Sequence, residues 1–531
     1  MSLGQSLFLA FIISFMGLDF WNGTVYISRP VFLGPLLGLL MGDLQTGLIV
    51  GGSIELMFIG ALAMGAYIPP SAPAAGAMGT IFSILAGGNP EVGIALAYPV
   101  GILMQLVGML NWNIDIFLVT KAENCLAENK IKEAEHWHLS GILVGFLSSF
   151  IVYSLAIYLG GTAIGNFYDK LPTWFSDGMS VAAGILPAIG IASLLVSMGI
   201  KKGWPFFLIG FILSAYLGLD VMAMALLGFG IAAAIAIIRK NGKTNEDDDD
   251  DDSLQSMLSS DGEEGQKIKG KLMRRIFFRS FNTMATLNYK SYMSMGFAYA
   301  VSPALRAIYP DEKEYQDAMI RHSELFNTHP YFGNLIIGVA IALEESKAHD
   351  ETITDESISS IKTALMGPLA GIGDSVFQGT YRVIFSAIGG GLAMSGNAFG
   401  PIVYIIPQII LAWGSRWLFL TRGYKYGAEL IVKIRQSNIF EQFVEGATIV
   451  GMMVIATMAT SFISVNLATT WDISGREFIL QDILDSILPN LLPMAVVSLF
   501  YWFISKKKNG VYYCLLFSFV IGFLGAIFHF M

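Results

Sequence analysis

Long apolar stretches, repeatedly interrupted by glycine and proline, fill residues 1–240 and return from residue 361 to the end. Windows near Ile12, Ile102, Leu143, Phe207, Ile231, Val450 and Phe519 are each long and apolar enough for a membrane-crossing helix. The last spans are expected near 443–468, 487–504 and 511–530. Within lipid only helices satisfy every backbone polar group in a single segment, and irregular backbone survives only where protein or a watery cavity meets it. The pattern therefore predicts an all-α polytopic membrane protein with broken or re-entrant helices.

The remaining segments set the boundaries. Residues 241–270 lose all apolar periodicity and contain the run Asp247 to Asp252, which predicts an acidic, disordered linker. Residues 271–360 are more polar and amphipathic: Lys271, Arg274, Arg275 and Arg279 alternate with Ile276, Phe277, Phe278 and Phe281, as in a helix lying along a cytoplasmic membrane face. The cationic junctions Lys201-Lys202, Arg239-Lys240 and Lys506-Lys507-Lys508 are expected on the cytoplasmic side, which places the linker there too. The polar stretch Thr120 to His138 reads as a solvent or interfacial helix, with His136 and His138 not expected to be ligands.

Composition narrows the class. A hydrophobic fraction of 54%, a charged fraction of 14% and a mean hydropathy of +0.60 exclude an ordinary soluble enzyme. The net charge of -9 is local, because Glu246 to Asp252 alone supplies seven negative charges. No basic, aromatic-interleaved surface points to nucleic acid. Two cysteines, Cys125 and Cys514, define neither a disulfide framework nor a metal cluster, and no metal or cofactor is expected. Met1 to Phe15 lacks a basic leader and a small-residue cleavage site, so it reads as a retained first span.

The chemistry concentrates between Gly367 and Arg382, where four glycines, Pro368, Asp374 and Arg382 interrupt an apolar run. Such a run is not expected to remain a regular helix. Ionisable residues on broken membrane segments mark binding sites in transporters; a structural Asp374–Arg382 ion pair is the plainer alternative. Glu55 sits in a glycine-rich apolar setting, where a lone carboxylate costs about 2.5–3.5 kcal/mol unless a partner, water or the interface receives it. Asp43 is either a helix cap or a site residue. The turn Thr328-His329-Pro330 presents an imidazole to a cavity or simply caps a helix.

Two groups of residues resemble a known family. Ser28-Arg29-Pro30, Gly42-Asp43, Thr46-Gly47 and Gly51-Gly52-Ser53-Ile54-Glu55 resemble the IIC subunit of mannose-family sugar phosphotransferase permeases. Asn288-Tyr289, Phe326-Asn327-Thr328-His329-Pro330, Leu343-Glu344-Glu345, Gly367 to Thr380 with Arg382, and Tyr424-Lys425-Tyr426-Gly427 resemble the IID subunit. The resemblance implies a IIC-like transmembrane domain over 1–240. It makes 271–360 the cytoplasmic helical part of a IID-like domain, and 361–531 its transmembrane part.

It further implies a membrane complex, a trimer of such units, in which a sugar binds at the IIC–IID interface and moves by an elevator-like shift. A cytoplasmic IIB partner, charged through IIA, then phosphorylates it. The residues matched to that site are Glu55, Asn288, His329, Asp374, Gln378, Thr380 and Arg382, with Asp43 and Asn327 secondary. None of these is expected to carry a phosphoryl group, and no catalytic residue is assigned; Asp374 or Glu55 is the candidate base for the sugar hydroxyl.

The chain departs from the family pattern at Gln378, where Trp is common, at Thr286-Leu287, where Ser-Trp is common, and at Lys290 to Met293, where Glu-Arg-Met-Gln is common. These departures imply a sugar other than plain mannose or glucose. An ion-coupled solute carrier and a non-transporting receptor are the other classes that broken helices with buried carboxylates would suit.

Overall fold

The computed structural model describes all residues except 22, 62–67, 169–171, 199, 242–267, 269, 350–352, 428–438, 474–475 and 508–509. The acidic run of the expected linker lies outside the described residues.

The first part of the chain opens with α1 (Leu3–Gly17), α2 (Pro30–Met41), α3 (Leu44–Met57) and α4 (Ala72–Leu85). Two long helices follow, α5 (Pro90–Ala127) and α6 (Ile131–Tyr168), then α7 (Thr173–Ile185), α8 (Pro187–Met198), α9 (Ile200–Leu217) and α10 (Val221–Asn241). In the second part α11 (Lys271–Ser280), α12 (Ser294–Ile308), α13 (Glu312–His322) and α14 (Pro330–Lys347) precede α15 (Asp355–Gly373). A π-helix, Asp374–Tyr381, joins α15 to α16 (Arg382–Met394), which is followed by α17 (Phe399–Tyr426) and α18 (Ile439–Ser461). A short antiparallel hairpin, β1 (Thr470–Ile473) with β2 (Arg476–Ile479), departs from the helical rule before α19 (Leu480–Ile487), α20 (Leu491–Lys506) and α21 (Gly510–Phe528).

Among the described residues seven helices are long and apolar enough to cross a membrane. They include Asp177–Val196, which no window anticipated, and Phe399–Tyr426. The windows at Phe207 and Val450 fall on shorter apolar helices, Gly203–Leu217 and Thr448–Ser461. Leu480–Ile487 and Leu491–Lys506 form an apolar helix pair bent by 78°, the shape of a broken span or a re-entrant loop.

Close helix packing explains the glycine pattern of the first part. A Cβ on Gly34 would lie 2.7 Å from the Cα of Gly51, and one on Gly38 would lie 2.9 Å from the Cα of Gly47. α2 and α3 therefore meet backbone to backbone, as small residues at four-residue spacing allow. Asp43 caps the hairpin: its Oδ1 accepts from Thr46 N at 3.0 Å, and its Oδ2 accepts from Thr46 Oγ1 at 2.6 Å.

Neither large hydrophobic core respects the boundary between the two parts. One combines α5 and α6 with α11 to α15 and α17, through residues such as Trp112, Val119, Phe297, Ile337, Leu369 and Leu420. The other combines α3 and α8 with α16, α18, α20 and α21, through Ile54, Leu56, Ile189, Val383, Met458 and Phe500.

The described helices of 271–360 pack into the first of these cores. α12 and α14 are buried along nearly their whole length. α11 packs Met273, Ile276 and Phe277 inward, while the guanidinium of its Arg279 stacks 3.6 Å over Tyr299 and pairs with Glu135 of α6. His138, at the end of the polar stretch, is also buried. Its Nε2 donates to the Asn282 carbonyl at 2.9 Å, which leaves Nδ1 to accept from Thr286 Oγ1 at 2.7 Å.

Candidate functional site

A cavity of about 350 Å³ opens between the two parts. The first part contributes Asp19, Trp21, Thr24, Tyr26 and Arg29 from the segment between α1 and α2, and Gln105, Asn111 and Trp112 from α5. The second part contributes Leu287, Tyr292, Asn327, Asp374, Gln378 and Arg382. The volume falls within the usual range for small-molecule sites, and an apolar wall carrying a few convergent polar groups is what such sites present.

The second part's polar wall is made by the π-helix. The expected break between Gly367 and Arg382 is not an unwound loop: Pro368 is accommodated inside α15, and the irregularity is a wider helical turn. Its signature is the Arg382 N–H donating to the Phe377 carbonyl, five residues back, and the Thr380 hydroxyl adds a side-chain bond to the Ser375 carbonyl at 3.0 Å. π-Turns recur at functional sites because the extra residue re-aims neighbouring side chains. Here Asp374 and Gln378 both line the cavity, half-buried, with Gln378 Nε2 donating to Asp374 Oδ1 at 3.3 Å.

Below them the π-helix is seated on aromatic rings. Phe377 lies 5.1 Å from Tyr331, 5.1 Å from His329 and 5.5 Å from Phe332, measured between ring centres. His329 does not reach the cavity. It caps α14, where Nδ1 accepts from Tyr331 N at 3.3 Å, and it presses against Gly373, where a Cβ would come 2.2 Å from the His329 Cβ. Its neighbours Thr328 and Pro330 line the cavity in its place, together with Asn327.

Glu55 is fully buried, and it is not left to the membrane interface. Arg29 Nε donates to both carboxylate oxygens at 3.0 Å, Arg29 Nη2 donates to Oε1 at 2.7 Å, and Ser386 Oγ of α16 donates to Oε1 at 2.7 Å. Glu55 thus acts on the cavity through Arg29, which lines it. Arg382 also lines the cavity, but its described hydrogen bond, Nη2 to the Ile59 carbonyl at 3.0 Å, runs to the first part and not to Asp374.

Asn288 stands behind the wall. Its Nδ2 donates to the carbonyls of Thr286 and Tyr292 at 2.9 and 3.3 Å, and its Oδ1 accepts from the N–H groups of Lys290 and Ser291 at 2.8 and 2.9 Å. Thr380 is buried, its hydroxyl donating back to the Ser375 carbonyl of the π-helix, and Asp43 lies at the far turn of the α2–α3 hairpin.

The structure adds a contributor that sequence reading passed over, the segment from Asp19 to Arg29. Thr24 and Tyr26 have φ of +48° and +65°, a region that costs most residues energy and is sustained only by surrounding contacts. Those contacts cross between the parts: Tyr331 Oη donates to Thr24 O at 2.8 Å, and Arg416 Nη2 donates to Thr24 Oγ1 at 3.0 Å. Asp19 holds the segment from within by accepting from Val25 N at 2.8 Å. A polar Asp19, Thr24 and Arg29 between two apolar helices was the available signal.

The far end of α15 is anchored by a buried polar cluster. Glu344 accepts from Arg321 Nε and Nη2 at 2.9 and 2.8 Å and from Tyr309 Oη at 2.7 Å, with His322 Nε2 at 2.7 Å. Burial alone would raise the Glu344 pKa; the His322 and Tyr309 contacts and the Arg321 charge outweigh it and hold the carboxyl below its usual range. Arg321 also pairs with Asp355 at 2.7 Å, which ties the start of α15 to this cluster.

Comparison with known proteins divides the chain in the same way. Residues 3–235 match the family described as PTS system sorbose-specific iic component, and residues 267–531 match the PTS system mannose/fructose/sorbose family IID component. The chain is 35% identical over 267 residues to the PTS system mannose-specific EIID component of Escherichia coli (strain K12), covering 49% of this chain and 94% of that protein. It is 32% identical over 229 residues to N-acetylgalactosamine permease IIC component 1 of the same organism, covering 43% and 86%. A cryo-EM structure of the mannose transporter ManYZ with microcin E492 contains a chain 33% identical to this one, covering 50% of this chain and 99% of that chain at a TM-score of 0.30.

Proposed function

Because the chain belongs to the mannose/fructose/sorbose family of sugar phosphotransferase permeases, with IIC and IID components joined in one polypeptide, we propose that the cavity between its two parts is the sugar-binding site. The protein is a multi-pass component of the bacterial inner membrane, working in a system with cytoplasmic IIA and IIB partners. The observation that carries the site is the convergence of Asp374, Gln378 and Arg382 from the IID part with Arg29 and Asn111 from the IIC part on one 350 Å³ space. Carboxylate, amide and guanidinium groups supply the acceptors and donors that sugar hydroxyls need inside a partly dry site.

Asp374 takes the role of hydroxyl acceptor, and it is the better placed of the two candidate bases, since Glu55 is already saturated by Arg29 and Ser386. Glu55 orients Arg29, Asn288 shapes the loop before Tyr292, and His329 and Thr380 hold the π-helix in position. The relatives' names cover more than one sugar, and Gln378 in the wall favours a substrate whose hydroxyls or acetamido group meet an amide.

Delivery is by relative movement of the two mixed cores. The π-helix connects α15, which belongs to one core, to α16, which belongs to the other, so a shift between them carries the wall of the cavity with it. This is the elevator-like displacement that would bring the sugar to a phosphorylated IIB partner, within a trimer of such chains. Membranes containing the chain, supplied with phosphoenolpyruvate, the general phosphotransferase proteins and a IIA/IIB pair, should phosphorylate one or two labelled sugars, and Asp374→Ala should abolish the product. Unmodified solute accumulating on an ion gradient instead would move the chain to the class of ion-coupled carriers.

A further inference from the structure

Among the described residues six aromatic residues border the cavity, and five of them, Phe20, Trp21, Tyr26, Trp112 and Tyr153, come from the IIC part. The sixth is Tyr292, from the IID part, and its backbone has a φ of +55°. A tyrosine in this left-handed region costs roughly 1–2 kcal/mol. Such strain persists where neighbouring contacts over-determine the conformation, and it collects at functional positions.

The contacts here are explicit. Tyr292 N donates to the Asn288 carbonyl at 3.1 Å, Asn288 Nδ2 donates to the Tyr292 carbonyl at 3.3 Å, and Met293 N donates to the Phe326 carbonyl at 2.8 Å. The fully buried Asn288 spends its remaining acceptor on Lys290 N and Ser291 N, which closes the turn. Tyr289 leaves the turn toward α5 and meets Trp112, ring centres 4.7 Å apart. Tyr292 lines the cavity, is only partly buried, and packs against the core that joins the two parts. The turn itself needs no ring, because glycine or asparagine takes this φ more cheaply. What tyrosine adds is an aromatic ring at the cavity wall.

The geometry points to Tyr292 as a specificity-determining residue that stacks on the apolar C–H face of the bound sugar ring while Asp374 and Gln378 take its hydroxyls. The C–H groups of a sugar ring carry slight positive charge, which the negative face of an aromatic ring attracts. The assignment rests on the sugar-site reading above. It also explains how a wall with Leu287 and Gln378, neither aromatic, still offers a sugar a stacking surface from the IID part.

The test is equilibrium binding of labelled hexoses, amino sugars and ketoses to the purified full chain in detergent, alongside thermal unfolding. The variants are Tyr292→Phe, Tyr292→Asn and Tyr292→Gly. Phenylalanine should keep the wild-type Kd within about threefold. Asparagine and glycine should weaken binding about tenfold and flatten the ranking among sugars, while unfolding temperature stays level or rises as strain is relieved. Wild-type Kd and ranking in both Tyr292→Asn and Tyr292→Gly would overturn the assignment. So would a weakening in Tyr292→Phe equal to that in Tyr292→Gly, which would make the hydroxyl and not the ring the contact. Weakened binding matched by a fall in unfolding temperature in Tyr292→Asn would assign the residue to the fold instead. If the wild-type chain binds no sugar in the panel, the sugar-site reading falls and this assignment falls with it.

Discussion

Two stretches of the chain share one local pattern and end in opposite states. Gly52-x-x-Glu55-x-x-Phe58-x-Gly60 closes α3, and Gly371-x-x-Asp374-x-x-Phe377-x-Gly379 spans the junction of α15 with the π-helix. Around Glu55 everything is closed. A Cβ on Gly52 would strike the Gly390 carbonyl at 2.6 Å, and the carboxylate is saturated by Arg29 and Ser386 with no solvent exposure. Around Asp374 the pattern is open: Gly371 has nothing within 4 Å, and the carboxylate faces the cavity with one long bond from Gln378. A carboxylate on a glycine-rich membrane helix is thus a marker of polar chemistry, and its partners decide whether that chemistry is spent on the fold or offered to a ligand.

The largest expected effect breaks the closed member. Arg29→Met strands the Glu55 carboxylate in the interior and should cost about 3–5 kcal/mol, with much of it recovered in the Arg29→Met/Glu55→Leu double variant. Thermal unfolding in detergent reads both, and a wild-type melting point for Arg29→Met would erase the distinction. The open member should behave in the reverse way. Asp374→Asn should lower sugar phosphorylation by about 100-fold or more, while unfolding stays within about 0.5 kcal/mol of wild type. A loss of stability comparable to that of Arg29→Met would place Asp374 with Glu55.

A third comparison lies inside the open pattern. Gly373→Ala sets a Cβ 2.2 Å from that of His329. It should cost about 1–3 kcal/mol and weaken sugar binding as the π-helix shifts. Gly371→Ala, in open space, should be neutral in both measurements, and equal melting of the two variants would remove His329 as the seat of the π-helix. The smallest effect is at Asp43. Loss of its cap in Asp43→Ala should cost about 1 kcal/mol without changing the sugar phosphorylation rate; a drop in that rate would return Asp43 to the site.

Much of the architecture was legible because hydropathy acts locally. Apolar runs of span length announced a helical membrane protein, and the ordered IIC- and IID-like motifs announced its family and the division near residue 240. Asp374, Gln378, Arg382 and Asn327 were named as site residues, and each borders the cavity. The polarity of 271–360 did not reveal that residues such as Arg279, Arg321 and Glu344 are charged yet pair inside the protein. His138 reads as a surface histidine until the loop of the other part, 148 residues away in sequence, supplies Thr286.

What the sequence by itself determined is whatever depends on neighbouring residues: helix identity, span length, and the glycines at four-residue spacing that draw α2 onto α3. Only the tertiary structure decided which polar groups meet. Arg29 finds Glu55 across 26 residues, Ser386 reaches the same carboxylate from 331 residues away, and Tyr331 holds Thr24 in a strained turn across 307. Hydrophobic burial is roughly proportional to area and tolerates many partners, so pattern suffices to forecast it. A buried charge or hydrogen bond is satisfied only by a group at one distance and angle, and the assembled fold alone supplies that group.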